Sequence, residues 1–545
     1  MFSRWSFFFQ FLGDDRQASR AEQVVKHGCS MEHDIDNTCK VESNDEKLGL
    51  GKRLEWKMDG KVMFSMQDLG VESKARPRLG LLPPQLYMLP ELQELTRNYS
   101  LVPVCIQEGD WSEDSIKSWA EKLRKEGVTA VVGFAQKDAW HHCLLNRALG
   151  SDSISPLAYL MSMNKFMQRA SVDLTPGFWF MSVNPDVEKD NSTLISKVPT
   201  EQWPCMLKNT SLSLGAGVFK CEDEQRMAEI LDAYRENEAL RTSIANTTLA
   251  ITSRLSEAER ALSAEMCGGP PPPFLAEHLI DMNAGWVEYC YEGLVDSSGT
   301  LVHYGLTEEV YFEDHTGLAY ITPPMNLHPK QIPKTKQFLE KFMGKLIEAG
   351  YRRQFCNVEF WVSGGKEEDR EPKMVLCEIN PRCAHTFHYG YKFSVGSNLY
   401  RDNFELVLHD TLPSATPLSE WESGGFRVCC EMLINVKNQV DPTTGHVIVD
   451  ISGKKANECV DYGLLDSLQS QGRAQLVRRI KAPSYVLTKD DANAGPGTTL
   501  AQVWFSGPTH EAVAKMEVKL RQQLYKISQP GAVYPKFWSE LAAIS

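Results

Sequence analysis

The chain has no apolar run long enough to cross a bilayer as a helix, which takes about 20 residues. The N-terminal stretch MFSRWSFFFQFLGDD comes nearest. It carries Gln10, meets Asp14 and Asp15 at once and lacks a small-residue cleavage site, so neither an anchor nor a secretory leader is expected. Basic charge is in short supply: 58 Lys and Arg stand against 71 Asp and Glu, a formal net charge of −13. That argues against nucleic acid or an anionic membrane as main partner, since both need a clustered basic surface. The 14 cysteines contain no CxxC and no paired metal-ligand spacing. Reduced, mostly buried thiols and a cytoplasmic address are the expectation. GxSxG, HExxH and kinase-type HRD and DFG sets are all missing, as are a GxxxxGK[ST] phosphate loop and an internal repeat.

What is present is an ordinary soluble composition, 42% hydrophobic and 24% charged, in 545 residues, enough for several domains. Residues 1–75 are polar and charge-mixed and read as a mobile leader, with a short edge element near Lys61–Met66. From Arg78 onward strands and helices alternate: LVPVCI, the amphipathic SEDSIKSWAEKLRKE and VTAVVGF are the clearest. This predicts a small parallel sheet with helices on its faces. Residues 157–172 read as one helix, and 222–265 as two helices broken near Thr247, ending at the rigid Gly-Gly-Pro-Pro-Pro-Pro linker. Strands dominate from Phe274, and the region 428–507 reads as a separate small α+β unit.

The stretch NVEFWVSGGKEEDREPKMVLCEINPRCAHTFHYGY carries the most chemistry. Two strand-like runs flank a charged, Gly-bearing turn, which predicts a hairpin. Residues two apart on a strand share a face, so Glu378 and Asn380 point together, and antiparallel pairing puts Glu359 beside them. The set is either a hard-oxygen cation site of the kind that holds Mg²⁺ against phosphates, or a solvated acidic hairpin with a structural Asn-Pro turn. Arg382 extends the face and has the fork geometry for a phosphoryl or carboxylate oxygen. Upstream, Lys208 closes a strand and is followed by Ser211, Ser213, Gly215 and Gly217, a phosphate-cradling loop or a plain Gly-Ser hairpin. Lys165 is a second phosphate contact or a solvated helix lysine. Glu277, His278, Leu279 and Ile280 offer either backbone groups to an adenine edge or an ordinary core strand. His385 and His388 lack further ligands nearby, so they and Tyr389 and Tyr391 are substrate-pocket candidates rather than metal ligands.

Taken in order, these pieces resemble the ATP-grasp superfamily over about residues 78–410. The carriers are Asn164-Lys165 with Arg169 behind them, Lys208 with its Ser/Gly loop, Glu277 to Ile280, Glu359, and Glu378-Ile379-Asn380-Pro381-Arg382. The resemblance implies an α/β and α+β multidomain chain. A Rossmann-like pre-domain (76–160) precedes the ATP-grasp domain (161–410), whose lid at about 200–280 carries a helical insertion at 222–266. A small α+β C-terminal domain (411–545) follows. It further implies that Lys165 and Lys208 contact ATP phosphates under the Ser211–Gly217 loop. Glu277 and the backbone of His278–Ile280 bind adenine, and Glu288 lies near the ribose and lid hinge. Glu359, Glu378 and Asn380 hold Mg²⁺, one ion or two, for which Mn²⁺ can substitute, and Arg382 steadies an acyl phosphate. The amino-acid ligase branch, with dipeptide synthases and mycosporine-pathway ligases, is the nearest in shape. The implied activity joins a small carboxylate to an amine. The alternatives are another nucleophile on a small cyclic metabolite and a silent nucleotide-binding relative. A homodimer is compatible with all three.

Overall fold

The computed structural model describes residues 76–543, apart from 85, 107–109, 136–137, 173–174, 213–216, 441–445, 496 and 529–531. It also gives the backbone of three short strands further upstream. These are Cys39–Val41, Leu54–Met58 and Lys61–Ser65, paired antiparallel in that order; the last covers most of the edge element expected near Lys61–Met66, and the rest of the expected leader lies outside the described residues.

Strands Ser100–Pro103, Arg78–Leu81 and Ala130–Val132 form the small parallel sheet, with Arg78–Leu81 in the middle. The helix Glu113–Lys125 starts where the Ser112 hydroxyl accepts the Ser115 N–H, has Glu113 and Asp114 in its first turn and buries Ile116, Ala120 and Leu123. The segment expected as one helix over 157–172 is two, Pro156–Met163 and Lys165–Ala170. Asn164 breaks it: its backbone is extended, and its side-chain oxygen accepts the Met167 N–H. The break sets Lys165 at the first position of a new helix and turns it inward, to 6% exposure.

A four-stranded antiparallel sheet follows, ordered Phe180–Val183, Phe274–His278, Cys205–Asn209, Val218–Cys221. Its own core includes Val183, Leu207, Ile230, Leu231 and Phe274. The charged stretch inside it makes three helices, not two: Glu224–Glu236, Glu238–Thr252 and Glu257–Cys267. Asn237 caps the second and a Ser256–Glu259 capping box starts the third, so the breaks follow the Asn and Ser positions rather than Thr247.

The centre is an eight-stranded, wholly antiparallel sheet. Its order is Lys373–Asn380, Gln354–Ser363, Trp286–Val295, Leu301–Tyr311, Gly317–Thr322, Val428–Val436, Thr498–Gly507, Leu476–Arg479. Three strands of the region expected as a separate C-terminal unit therefore continue this sheet, while Gln439–Val440 and Val447–Val449 pair only with each other; the region keeps a hydrophobic core of its own with the helix His510–Leu524. The remaining core is continuous from the small parallel sheet to the first strands of the large one. Among the described residues no helix is long and apolar enough to cross a membrane. Among the described cysteines, nine are free and buried and two free and half-buried, while Cys105, against the expectation of reduced thiols, is disulfide-bonded.

The C-terminal helix is tied to the sheet by a buried ion pair. Arg521 bonds Glu517 Oε1 at 2.5 Å and the carbonyls of Leu318 and Leu433 at 3.2 and 3.0 Å. Glu517 is fully buried and also accepts the Trp538 indole N–H. Arg521→Met removes one partner and leaves an uncompensated buried carboxylate, so unfolding in urea should lose about 3–5 kcal/mol; an unchanged midpoint would show that the pair carries no such weight.

Candidate active site

The hairpin forms in the register the sequence suggested. Glu359 lies directly opposite Glu378, and Asn357 opposite Asn380, with a bulge after Glu359 that turns Cys377 toward the same group of side chains. Asn380 Nδ2 donates to Asn357 Oδ1 at 3.1 Å and to Glu359 Oε1 at 3.0 Å, which leaves its own oxygen free of those bonds. The next strand adds Cys290, opposite Glu359, and Glu288, opposite Glu309 on the strand beyond. Tyr311 donates to both Glu288 Oε2 (2.8 Å) and Glu309 Oε2 (2.5 Å).

Too much negative charge meets on this face to be carried without cations. Burial, then repulsion from Glu309, pushes Glu288 up to about 8. Burial and Glu378 raise Glu359 well above the usual carboxylate range. Glu378 is the exception. Burial would raise it too, but Lys165, its Nζ 2.7 Å from Oε2, together with Lys208 and Arg382 outweighs that and holds it low. The same ammonium donates to the Leu212 carbonyl at 2.6 Å, so Lys165 ties the loop after Lys208 to the metal-side wall. The solvated-lysine alternative is thereby excluded.

Lys208 is also inward. Its Nζ lies 2.6 Å from Glu277 Oε1, while Arg169 closes on the other oxygen at 2.9 Å and on the Cys377 carbonyl at 2.8 Å. Burial would lower the Lys208 ammonium, but Glu277 outweighs it; burial would raise Glu277, but Arg169 and Lys208 keep it ionised. The carboxylate of Glu277 is thus occupied in aiming two cations and is 2% exposed, which removes its side chain as an adenine contact. Adenine-facing candidates in that segment are the exposed His278, whose Nδ1 meets Gln202 Oε1 at 3.1 Å and whose ring meets Phe178 edge-on, and the half-buried Leu279 and Ile280. Glu288, expected near the ribose, stands beside Glu359 and Cys377, its nearest ligand atoms within 4.8 Å of theirs.

In the loop, Asn209 Oδ1 accepts the N–H groups of Ser211 and Leu212 at 3.0 and 3.1 Å. Gly217 turns back with φ +71, where a Cβ would stand 2.7 Å from Asn209 Cβ, so only glycine fits. Ser213 and Gly215 lie outside the described residues. Arg382 is half-buried; Nη1 donates to the Cys383 carbonyl at 3.2 Å and Nε has no partner among the described residues. Glu292, fully buried and pushed up to about 8 by burial, accepts Asn357 Nδ2 and the Ala384 N–H, each at 3.0 Å, and so fixes the turn that carries Arg382. Oxygen donors from Glu288, Glu359, Glu378 and Asn380 suit a hard divalent cation, and the raised Glu288 and Glu359 are the groups such a charge would ionise.

Glu292, Glu309, Tyr311 and Cys377 were not singled out from sequence, and Arg169 entered only as part of the motif around Lys165. Their signal was weak but present: acidic residues at alternate, inward positions of otherwise apolar strands, as in WVEYCYE.

No protein-family model matches the sequence, and no curated protein matches it. Solved structures do. The L-amino acid ligase of Bacillus licheniformis aligns over 84% of this chain and 100% of its own, with a TM-score of 0.55 at 14% identity. Carboxyaminoimidazole ribonucleotide synthase of Aspergillus clavatus, complexed with ATP, aligns over 82% and 99%, with a TM-score of 0.51 at 15% identity. Phosphoribosylglycinamide synthetase of Anaerococcus prevotii aligns over 83% and 100%, with a TM-score of 0.50 at 11% identity. The architecture is the ATP-grasp fold. Identity this low establishes the architecture; the activity is argued from the side chains.

The crowded carboxylates have a measurable consequence. Between the ordinary 4.5 and about 8, the folded chain holds a proton on Glu288 that the unfolded chain has lost. Cation-free stability therefore falls as pH rises through that window. A divalent cation must displace protons here, so the Mg²⁺-induced rise in melting temperature should be larger at about pH 8 than at about pH 6. Glu359→Gln should raise the cation-free melting temperature at the higher pH and remove most of the Mg²⁺ response. A response flat with pH, and untouched by Glu359→Gln, would refute the assignment.

Proposed function

We propose that the protein is an ATP-dependent, ADP-forming ligase that joins a small carboxylate to an amine, one of the pair being an amino acid, through an acyl phosphate. The observation that carries this reading is Lys165. One buried ammonium bridges the carboxylate that would hold the metal, Glu378, and the backbone of the loop that would cover the phosphates, at Leu212. A cation in that position stands where a nucleotide's phosphates would replace the carboxylate as its partner.

ATP is a substrate here. The carboxylate oxygen of the first substrate attacks the γ-phosphorus, the bond to the β-phosphate oxygen breaks, and ADP leaves. The amine nitrogen then attacks the acyl carbon, expels phosphate and gives up its proton. Neither step needs a covalent protein nucleophile; both need positive charge held in place before the reaction. Lys208 supplies it from the lid, aimed by Glu277 and Arg169. Arg382 supplies it from the hairpin turn, with its Nε donor unspent. Mg²⁺, or Mn²⁺ in its place, held by Glu359, Glu378 and Asn380 with Glu288 beside them, would neutralise phosphate charge when bound. The hinge backbone at His278–Ile280 and the Ser211–Gly217 loop are assigned to the adenine and phosphates.

ADP and phosphate release should require Mg²⁺, ATP and two co-substrates together, tested over amino acids and small carboxylates. Glu378→Gln should abolish turnover. Lys208→Ala should raise the KM for ATP by about one to two orders of magnitude, since a charged phosphate contact contributes ~1.5–3 kcal/mol. Full activity in Glu378→Gln, or ATP turnover indifferent to a second substrate, would overturn the reading.

A further inference from the structure

Beyond Glu309 the same sheet face runs on to the strands Gly317–Thr322, Val428–Val436, Thr498–Gly507 and Leu476–Arg479. The proposed chemistry leaves the side chains there unused. Directly opposed residues share a face, so one row reads Glu288, Glu309, Tyr320, Glu431, Trp504, Leu476. The neighbouring row holds Leu433, Gln502 and Arg478. Glu431 lies two strands from Glu309, about 10 Å away at ~4.8 Å per strand.

Arg478 and Glu431 stand in this patch without meeting directly. Gln502 separates them: its Oε1 accepts Arg478 Nη1 at 2.8 Å, and its Nε2 donates to Glu431 Oε1 at 2.7 Å. Glu431 and Gln502 are 3% and 8% exposed. A structural ion pair would bring Arg478 and Glu431 together, as Arg521 and Glu517 are brought together elsewhere. The neutral amide instead keeps each charge in place with bonding capacity left over. A guanidinium has five donors, and among the described residues only Nη1 of Arg478 is engaged. The Tyr87 ring lies against it, the ring centroid 4.0 Å from the guanidinium carbon. The Tyr87 hydroxyl is in turn bonded to His385 Nδ1, three residues past Arg382. The wall of this patch therefore adjoins the turn that carries the phosphoryl clamp. Burial lifts the Glu431 carboxyl to about 8, an effect that Arg478, across the amide, offsets only in part. A ligand cation at Glu431 would bring it down further.

We propose that Arg478, Gln502 and Glu431, roofed by Tyr87 and His385, form the pocket for a free α-amino acid, with Arg478 taking its carboxylate and Glu431 its ammonium. A ligand with only the carboxylate leaves Glu431 uncompensated, and one with only the ammonium leaves Arg478 so; the zwitterion satisfies both. The pocket rests on the ligase reading for its place in the reaction, as the seat of the amine substrate, and on its own geometry for what it binds.

Calorimetry on the full chain tests it without turnover. The probes are the common L-amino acids, each beside its N-acetyl and its carboxamide form. At least one amino acid should bind, with both capped forms weaker by about tenfold or more. Arg478→Gln should erase the preference over the carboxamide, and Glu431→Gln the preference over the N-acetyl form, while both variants still bind ATP. Arg478→Lys, which keeps the charge and loses the fork, should fall between. Undiminished amino-acid binding in both Gln variants, or no binding by any amino acid to a wild-type chain that binds ATP, would overturn the pocket. Amino-acid binding with the expected losses, but no ATP-dependent product from any pair, would leave the pocket standing and overturn the ligase.

Discussion

Carboxylates within a few ångströms of one another on a buried sheet face cannot all be ionised, because each charge raises the cost of the next. Glu288, Glu309, Glu359 and Glu378 are in that position, and the surrounding architecture is arranged around the problem. Glu378 is kept ionised against burial by Lys165, which reaches it from the helix Lys165–Ala170, with Lys208 and Arg382 adding to the effect. Glu288 and Glu309 share the one hydroxyl of Tyr311. Glu359 receives an amide hydrogen from Asn380. A core built for stability alone would put apolar residues at these positions. The electrostatic cost is understandable if the face is completed by metal and polyanion, whose opposite charges make the cluster favourable only when both arrive.

The cations show a division of labour that follows from burial. Lys208 stands on a lid strand, and a lone buried ammonium there would lose its proton readily. Glu277 prevents this, and Arg169 prevents Glu277 from being neutralised in turn, so the three charges hold one another in register. The arrangement crosses from the helix Lys165–Ala170 to the strands Cys205–Asn209 and Phe274–His278 and, through Arg169 and the Cys377 carbonyl, to the hairpin that carries Glu359 and Glu378. The side chains of Arg169 and Glu277, from two separate stretches of chain, thereby hold the Lys208 ammonium in place.

Much of this was legible in the sequence because the fold writes its site in strand periodicity. Glu359 opposite Glu378 followed from two strands, a turn and the rule that alternate residues share a face. The parallel sheet near the N-terminus followed from alternating apolar runs and a capped amphipathic helix. What was not legible depends on contacts between distant segments. The Asn164 break, which turns Lys165 inward, needs Thr210 and the Pro272 carbonyl as partners for the Asn164 side chain, 46 and 108 residues away. The pairing of Glu277 with Arg169 spans a similar distance. The continuation of the sheet into Val428–Val436 follows a long helical excursion, and nothing local in CCEMLINV says which strand it will join.

That continuation is also what gives the sheet face a second half. Had the last three strands formed a detached unit, Glu431 and Arg478 would be surface charges with no relation to Glu309. Set in the same sheet, they lie in register with the carboxylate cluster, and Tyr87, from the 3-10 turn ahead of the helix Leu89–Leu95, covers them. The hydroxyl of Tyr389 donates to the Tyr87 carbonyl at 2.8 Å, and the Tyr400 hydroxyl to that of His385 at 2.8 Å. The roof is therefore pinned by the two helices that follow Arg382. A small-molecule pocket built this way draws its floor, roof and neighbouring phosphoryl clamp from three parts of the chain, so its selectivity depends on how those parts are held together as well as on the residues that touch the ligand.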